Sequence, residues 1–362
     1  MRLLETPGLG RETARRLLAA FASPQAILEA PARVLRDFAS AAIVQALGIP
    51  AATFDDRLSA ALSWLAGDAQ RSVVTLGDAR YPARLLHSAD PPLLLYVQGN
   101  VGLLSAPSIG VVGSRSPSAQ GLDNATNFSH ELSNANFVIV SGLALGIDGA
   151  AHEGGLKGAA STIAVVGTGL DRVYPARHRS LAKRIAERGA LVSEFAPGTP
   201  ALPENFPLRN RIIAGLSLGT LVVEAAVRSG SLITARLALE SNRDVYAIPG
   251  SIHSPQARGC HALIRAGALL VESAQDIIDD QRGRDVAAPK FGAAAPDAPL
   301  SADLPPDDLV LQALGADPTT LDALMARTGW GVAELSAYLL ELELTDRVAR
   351  LPGGLFQRRW AS

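Results

Sequence analysis

Short apolar runs alternate with longer stretches of helical spacing through the middle of this chain. Six runs, at 109–112, 137–140, 162–166, 190–193, 220–223 and 244–248, read as strands buried on both faces. Between them the segments 119–135, 147–157, 178–188 and 231–241 have the length and apolar spacing of helices. Strand alternating with helix predicts a parallel sheet with helices on both faces, an α/β domain over residues 66–281. Sheets of this kind bind ligands beyond the carboxyl ends of their strands.

The flanks follow different patterns. Residues 1–65 read as a small helical domain. Gly8-Leu9-Gly10 is a tight turn, and Ala14, Leu17, Leu18 and Phe21 then recur at helical spacing. Two readings fit: a helix-hairpin-helix, whose turn amides would meet a DNA phosphate, or a turn between packed helices in a sterile-alpha-motif-like domain. The second is preferred, because the rest of the segment has no basic excess. Residues 282–304 are rich in Ala, Pro and Asp without periodicity, which reads as a linker. Residues 305–362 carry three helical stretches, at 309–314, 320–328 and 332–343. Two strands around Pro352-Gly353-Gly354 follow, which is a winged-helix pattern.

Composition narrows the function. At 362 residues, 48% hydrophobic and 19% charged, the chain is globular and long enough for several domains. Its net charge of −2 offers no whole-molecule attraction to nucleic acid, so any such binding must come from a local patch. Aromatic residues are only 5%, so phosphate contacts are expected to dominate over base stacking. A single cysteine, Cys260, excludes an intrachain disulfide and a cysteine-rich zinc site, as suits a reducing cytoplasm. No signal-peptide pattern and no apolar run long enough for a membrane span is present, so a cytoplasmic location without membrane contact is expected.

The chemistry gathers at the strand ends. Gly113-Ser114-Arg115 follows the first strand, Ser141-Gly142 the second, Gly167-Thr168-Gly169 the third and Glu224 the fifth. Ser229-Gly230-Ser231 then opens the next helix. Glycines there would let a ligand approach the backbone. Hydroxyls and a helix N-terminus would serve an anion. The stretch 209–236 adds Arg209, Arg211, Arg228 and Arg236 against one acid, Glu224. Several such turns on one sheet edge, joined by arginines, predict a phosphate-binding crest. The glycine spacings do not match the dinucleotide fingerprint, and the chain has no P-loop motif.

These motifs carry a resemblance. Gly113-Ser114-Arg115, Ser141-Gly142 with Gly146-Ile147-Asp148, and Gly167-Thr168-Gly169-Leu170-Asp171 with Tyr174-Pro175 come first. Asn205-Phe206-Pro207 with Arg209-Asn210-Arg211, and Ser229-Gly230-Ser231 with Thr234, follow in order. Together they resemble the DprA/Smf family of bacterial DNA-processing proteins, from about Asp78 to about Gly267. The resemblance implies an extended Rossmann-like parallel sheet flanked by a sterile-alpha-motif-like domain and a winged helix. It implies sequence-independent binding of single-stranded DNA, a homodimer, and loading of RecA recombinase during natural transformation, with no catalysis and no cofactor or metal. Arg115 would hold a phosphate. Ser141 and Gly142 would donate to the backbone, and Asn210, Arg211, Ser229 and Ser231 would complete the pocket. In some relatives a basic residue follows the Tyr-Pro pair; here Ala176 stands there, and Arg177 or Arg179 is the available substitute.

Other residues are weighed against plainer roles. Of Arg209 and Arg211, one is expected on phosphate and the other on an acid such as Glu224 or Asp148. Glu224 is read as orienting an arginine or a loop amide, and Asp148 as a cap or ligand-orienting group. His152 and His178 are read as packing or capping residues, since no nucleophile pairs with them. The presumed recognition helix carries Glu334, Glu341 and Glu343 and no basic residue, which predicts a protein-contact or packing role rather than groove insertion. The competing functional class is a nucleotide-acting enzyme resembling nucleoside-monophosphate phosphoribohydrolases. Gly219-Thr220 to Glu224 carries only the tail of their motif, with the spacing off by one.

Overall fold

The computed structural model describes residues 1–285, 309–314, 318–328, 330–345, 347–351 and 355–359. The N-terminal unit has five helices: α1 (Arg11–Phe21), α2 (Pro24–Glu29), α3 (Ala32–Leu35), α4 (Ala41–Gly48) and α5 (Phe54–Ala66). The first four close over a small core of Leu3, Leu17, Ile27, Leu35, Val44 and Leu47, while α5 buries Ala61 and Trp64 against Leu94 and Tyr96 of the central domain.

The central domain opens with β1 (Arg71–Thr75), α6 (Ala83–Leu86) and β2 (Leu94–Gly99). Strand and helix then alternate as β3 (Ser108–Val112), α7 (Ala119–Asn134), β4 (Val138–Ser141), α8 (Ile147–Lys157), β5 (Thr162–Val165), α9 (Arg179–Arg188) and β6 (Ala190–Ser193). The second half runs α10 (Asn205–Leu216), β7 (Gly219–Val222), α11 (Ser231–Glu240), β8 (Asp244–Ala247), α12 (Arg258–Arg265), β9 (Leu269–Leu270) and α13 (Ala274–Asp285). These strands form one nine-stranded sheet in the order β1-β2-β6-β5-β4-β3-β7-β8-β9. The strands from β6 to β9 are parallel. The β1–β2 hairpin extends the sheet antiparallel at the β6 edge, so the sheet is mixed there rather than parallel throughout.

Alternation along each strand feeds two cores. On β4, Val138 and Val140 face the layer holding Ile212 and Ile213 of α10 and Ala235 of α11. Ile139 faces the opposite layer, with Ala125 and Phe128 of α7 and Ala151 of α8. From β3 the chain winds outward to β6, then returns to lay β7 on the other side of β3. The order therefore reverses between β3 and β7, and the carboxyl ends of those two strands mark the crevice where such sheets take ligands.

The linker expected at 282–304 begins inside α13, and its remainder lies outside the described residues. Beyond it come α14 (Leu309–Leu314), β10 (Thr319–Thr320), α15 (Leu321–Thr328), α16 (Val332–Leu344), β11 (Val348–Leu351) and β12 (Leu355–Arg358). β12 pairs antiparallel with β10 and β11, as a winged helix requires, while the Pro-Gly-Gly turn itself lies outside the described residues. The wing touches the central domain where Gln357 Nε2 donates to Gln120 Oε1 of α7 at 3.3 Å.

Candidate nucleic-acid interface

A cleft of about 780 Å³ lies beyond the ends of β3 and β7. Gly113, Ser114 and Arg115 form one wall, and Arg228 with Ser229, Gly230 and Ser231 forms the other. Arg209 and Asn210 line it from α10, and Tyr174 and Phe206 line it as well. The sequence-expected Arg115, Arg209, Asn210 and the Ser-Gly-Ser turn are thus brought together.

The N-terminus of α11 has no side-chain cap, so its positive dipole end is directed at the cleft wall. Ser229 Oγ lies 2.6 Å from Ser231 Oγ, and the Ser231 N–H donates to Ser229 Oγ at 3.3 Å. An added Cβ at Gly230 would meet open space, so the backbone is open to a ligand here. The other crest glycines serve packing instead. A Cβ on Gly142 would lie 2.0 Å from the Arg209 guanidinium, and one on Gly113 would lie 2.6 Å from Ile147. Gly167 packs on Phe206 and Gly169 on the Ala196 carbonyl. The Cβ direction is therefore open at Gly230 and filled by neighbours at these four.

Below the cleft sits a buried ion pair. Arg209 Nη2 is 4.0 Å from Asp148 Oδ2, and both side chains are nearly sealed from solvent. Arg209 Nη1 also donates to the Val165 carbonyl. Asp148 Oδ2 accepts the N–H groups of Gly142 and Ala144, both at 3.2 Å. Burial raises the Asp148 carboxyl above the ordinary carboxylate range, against the lowering pull of Arg209. Burial likewise lowers the Arg209 guanidinium, with Asp148 acting to raise it. Gly142 therefore gives its N–H to Asp148 rather than to a ligand. Ser141 is fully buried and its hydroxyl donates to the Val111 carbonyl at 2.6 Å, which corrects its expected backbone-donor role.

Arg211 is not in the cleft. Two residues along a helix turn the side chain by about 200°, so Arg209 and Arg211 face opposite sides of α10. Arg211 Nη2 donates to Glu194 Oε1 at 2.6 Å, and its Nε donates to Asp90 Oδ2 at 2.7 Å. Arg11 and Arg15 of α1 join the same acids. Both arginines are thus paired with acids, Arg209 with Asp148 and Arg211 with Asp90 and Glu194, rather than one of them being left for a phosphate.

Thr168 is buried, with its hydroxyl on the Arg172 carbonyl, and Gly167, Thr168 and Gly169 all stand outside the cleft lining. Arg177 is exposed in the turn before α9 and lies outside the lining too. Ser114 lines the cleft, though its Oγ already accepts the Ser116 N–H at 3.1 Å. Glu224 accepts from Ser118 twice, from its N–H at 3.0 Å and from its Oγ at 2.5 Å, and so fixes the loop entering α7.

Sequence reasoning missed an aromatic group. Tyr174 is 52% exposed, and its ring centroid is 5.4 Å from that of Phe206. The Arg115 guanidinium lies over the other ring partner, 6.0 Å from the Phe206 centroid. Both aromatics belong to motifs already noted, Tyr174-Pro175 and Asn205-Phe206-Pro207; the low total aromatic content hid their clustering. Arg228, counted in the arginine-rich stretch without being singled out, lines the cleft as well.

Residues 72–282 match the family described as DNA recombination-mediator protein A, and residues 293–354 match the DprA winged helix domain. The chain belongs to the DprA/Smf family. It is 43% identical over 291 residues to protein Smf of Escherichia coli K12, covering 78% of this chain and 76% of that one. It is 49% identical over 201 residues to DNA processing protein DprA of Streptococcus pneumoniae R6, covering 56% and 71%. The X-ray structure of S. pneumoniae DprA superposes with a TM-score of 0.68 at 39% identity, over 77% of this chain and 95% of that one. DNA processing protein A of Helicobacter pylori, whose structure was described for its single-stranded DNA binding mode, superposes at 0.54 with 28% identity, over 59% and 97%. Family membership makes this a DNA-processing protein with the Rossmann-type sheet and winged helix described above.

Proposed function

We propose that the cleft binds single-stranded DNA without sequence preference, and that the chain acts as a non-catalytic homodimer that hands the strand to RecA recombinase during natural transformation, in the cytoplasm. The observation that carries the DNA-binding reading is the composition of one cleft. Arg115, Arg228 and the N-terminus of α11 supply positive charge beside the exposed ring of Tyr174. Phosphates meet the arginines and the Ser229-Gly230-Ser231 turn, and an unstacked base lies on the ring. A paired base in a duplex offers no free face for that contact. The recombinase hand-off, the dimer and the transformation role rest on kinship with the family.

Glu224 is the residue a phosphoribohydrolase reading needs. Its carboxylate is engaged by Ser118, which supports a structural role over a catalytic one. Arg115→Ala is expected to weaken oligonucleotide binding about tenfold or more while leaving the unfolding transition in place. Fluorescence anisotropy with a labelled oligonucleotide measures the first and thermal unfolding the second. Unchanged affinity would remove Arg115 from the interface.

A further inference from the structure

α16 buries Leu335, Leu339 and Leu342 in the winged-helix core with Val310, Leu311, Leu314, Leu324 and Phe356. A helix serving only that core should be polar on its other side. Here the outward side carries Leu340 and Leu344, 56% and 80% exposed, with Ala337 exposed one turn earlier. The 3-4 spacing of 337, 340 and 344 is the spacing of a helix–helix seam. Glu334 and Glu341 stand exposed beside it, and the helix has no Lys, Arg or His.

We propose that this seam docks an amphipathic helix of a partner protein, one with apolar residues at matching 3-4 spacing and Lys or Arg on its flanks. The charge decides between occupants. Duplex DNA would bring phosphates against Glu334 and Glu341. A second copy of α16 would bring acids against acids, which suppresses wrong partners at interfaces. A basic helix satisfies both the leucines and the carboxylates. The proposal is independent of the cleft, so it stands or falls without touching the DNA-binding reading.

The test uses the full chain and two labelled helical peptides with the same leucine seam, one flanked by Lys and Arg, the other by Glu. The basic peptide is expected to bind about tenfold or more tighter than the acidic one. A Leu340→Ser, Leu344→Ser double variant should lose that binding and keep its oligonucleotide affinity. A Glu334→Lys, Glu341→Lys variant should reverse the peptide preference. Equal binding of both peptides, or undiminished binding to the leucine variant, would overturn the proposal. So would loss of self-association by light scattering, or loss of duplex binding, in the leucine variant.

Discussion

In the proposed DNA cleft, the exposed ring of Tyr174 would decide which polyanion is accepted. Arginines alone attract any polyanion, whereas an exposed ring rewards only a base free to stack. Tyr174→Ala should therefore cost about 1–3 kcal/mol of oligonucleotide binding per stacked base, while Tyr174→Trp should retain it. Quenching of 2-aminopurine in a bound oligonucleotide checks this: it should vanish in the alanine variant. His152 carries a different prediction. Its Nδ1 lies 2.7 Å from Thr162 Oγ1, whose own hydroxyl donates to the Ile139 carbonyl, so the imidazole Nδ1–H must be the donor. Burial pushes its pKa down from 6.5 to about 3, with the charges of His178 and Arg209 adding to the effect. Below pH 6.5 the unfolded chain takes up a proton that the native site refuses, and stability falls as pH drops toward 3. The loss approaches about 1.4 kcal/mol per pH unit, or about 2 kcal/mol at pH 5. Urea unfolding at pH 7 and pH 5 should show it, and His152→Asn should flatten the slope even if that variant is less stable at pH 7. The strand-end motifs named Arg115, Asn210 and the Ser229-Gly230-Ser231 turn, which the structure brings to one cleft. What they could not supply was direction: Ser141, Gly142 and Thr168 carry the right groups, yet their neighbours Val111, Asp148 and Arg172 already engage them.

α10 holds the site together by using both its faces. Arg209 lies under the cleft with Asp148, and Arg211, half a turn round, ties the helix to Asp90 and Glu194. Removing Arg211 would leave a buried Glu194 carboxylate without its main partner, a loss of about 3 kcal/mol or more. Arg211→Met should accordingly lower the unfolding midpoint clearly. Asn210→Ala, which touches the cleft lining alone, should weaken oligonucleotide binding with little effect on that midpoint. Equal behaviour of the two variants would contradict the opposed-face geometry. The same helix explains where the sequence was hard to read. Six of the seven parallel strands have continuous apolar runs and fall within a residue or two of expectation, while the two-residue β9 is too short to show one. α10 carries Pro207 and two arginines among its apolar residues, so its period is obscured and the facing of Arg209 and Arg211 went with it. β1 and β2 join the sheet as an antiparallel hairpin, outside the strand–helix rhythm that revealed the others.

Across the whole molecule the net charge is −2, yet charge is sorted by place. The crest presents Arg115 and Arg228 to solvent, the α1–α10 junction neutralises Arg11, Arg15 and Arg211 on Asp90 and Glu194, and α16 presents only acids. The cleft face should attract nucleic acid with an affinity set by the few phosphates it reaches. No helix among the described residues is long and apolar enough to cross a membrane. The most direct test of the central claim is the affinity of the full chain for a single-stranded oligonucleotide, its duplex and the corresponding mononucleotide, each measured across a salt series. The single strand should bind orders of magnitude more tightly than the mononucleotide and more tightly than the duplex, with an affinity that falls as salt rises. Equal affinity for duplex and single strand, or a mononucleotide that competes at the oligonucleotide's concentration, would contradict it.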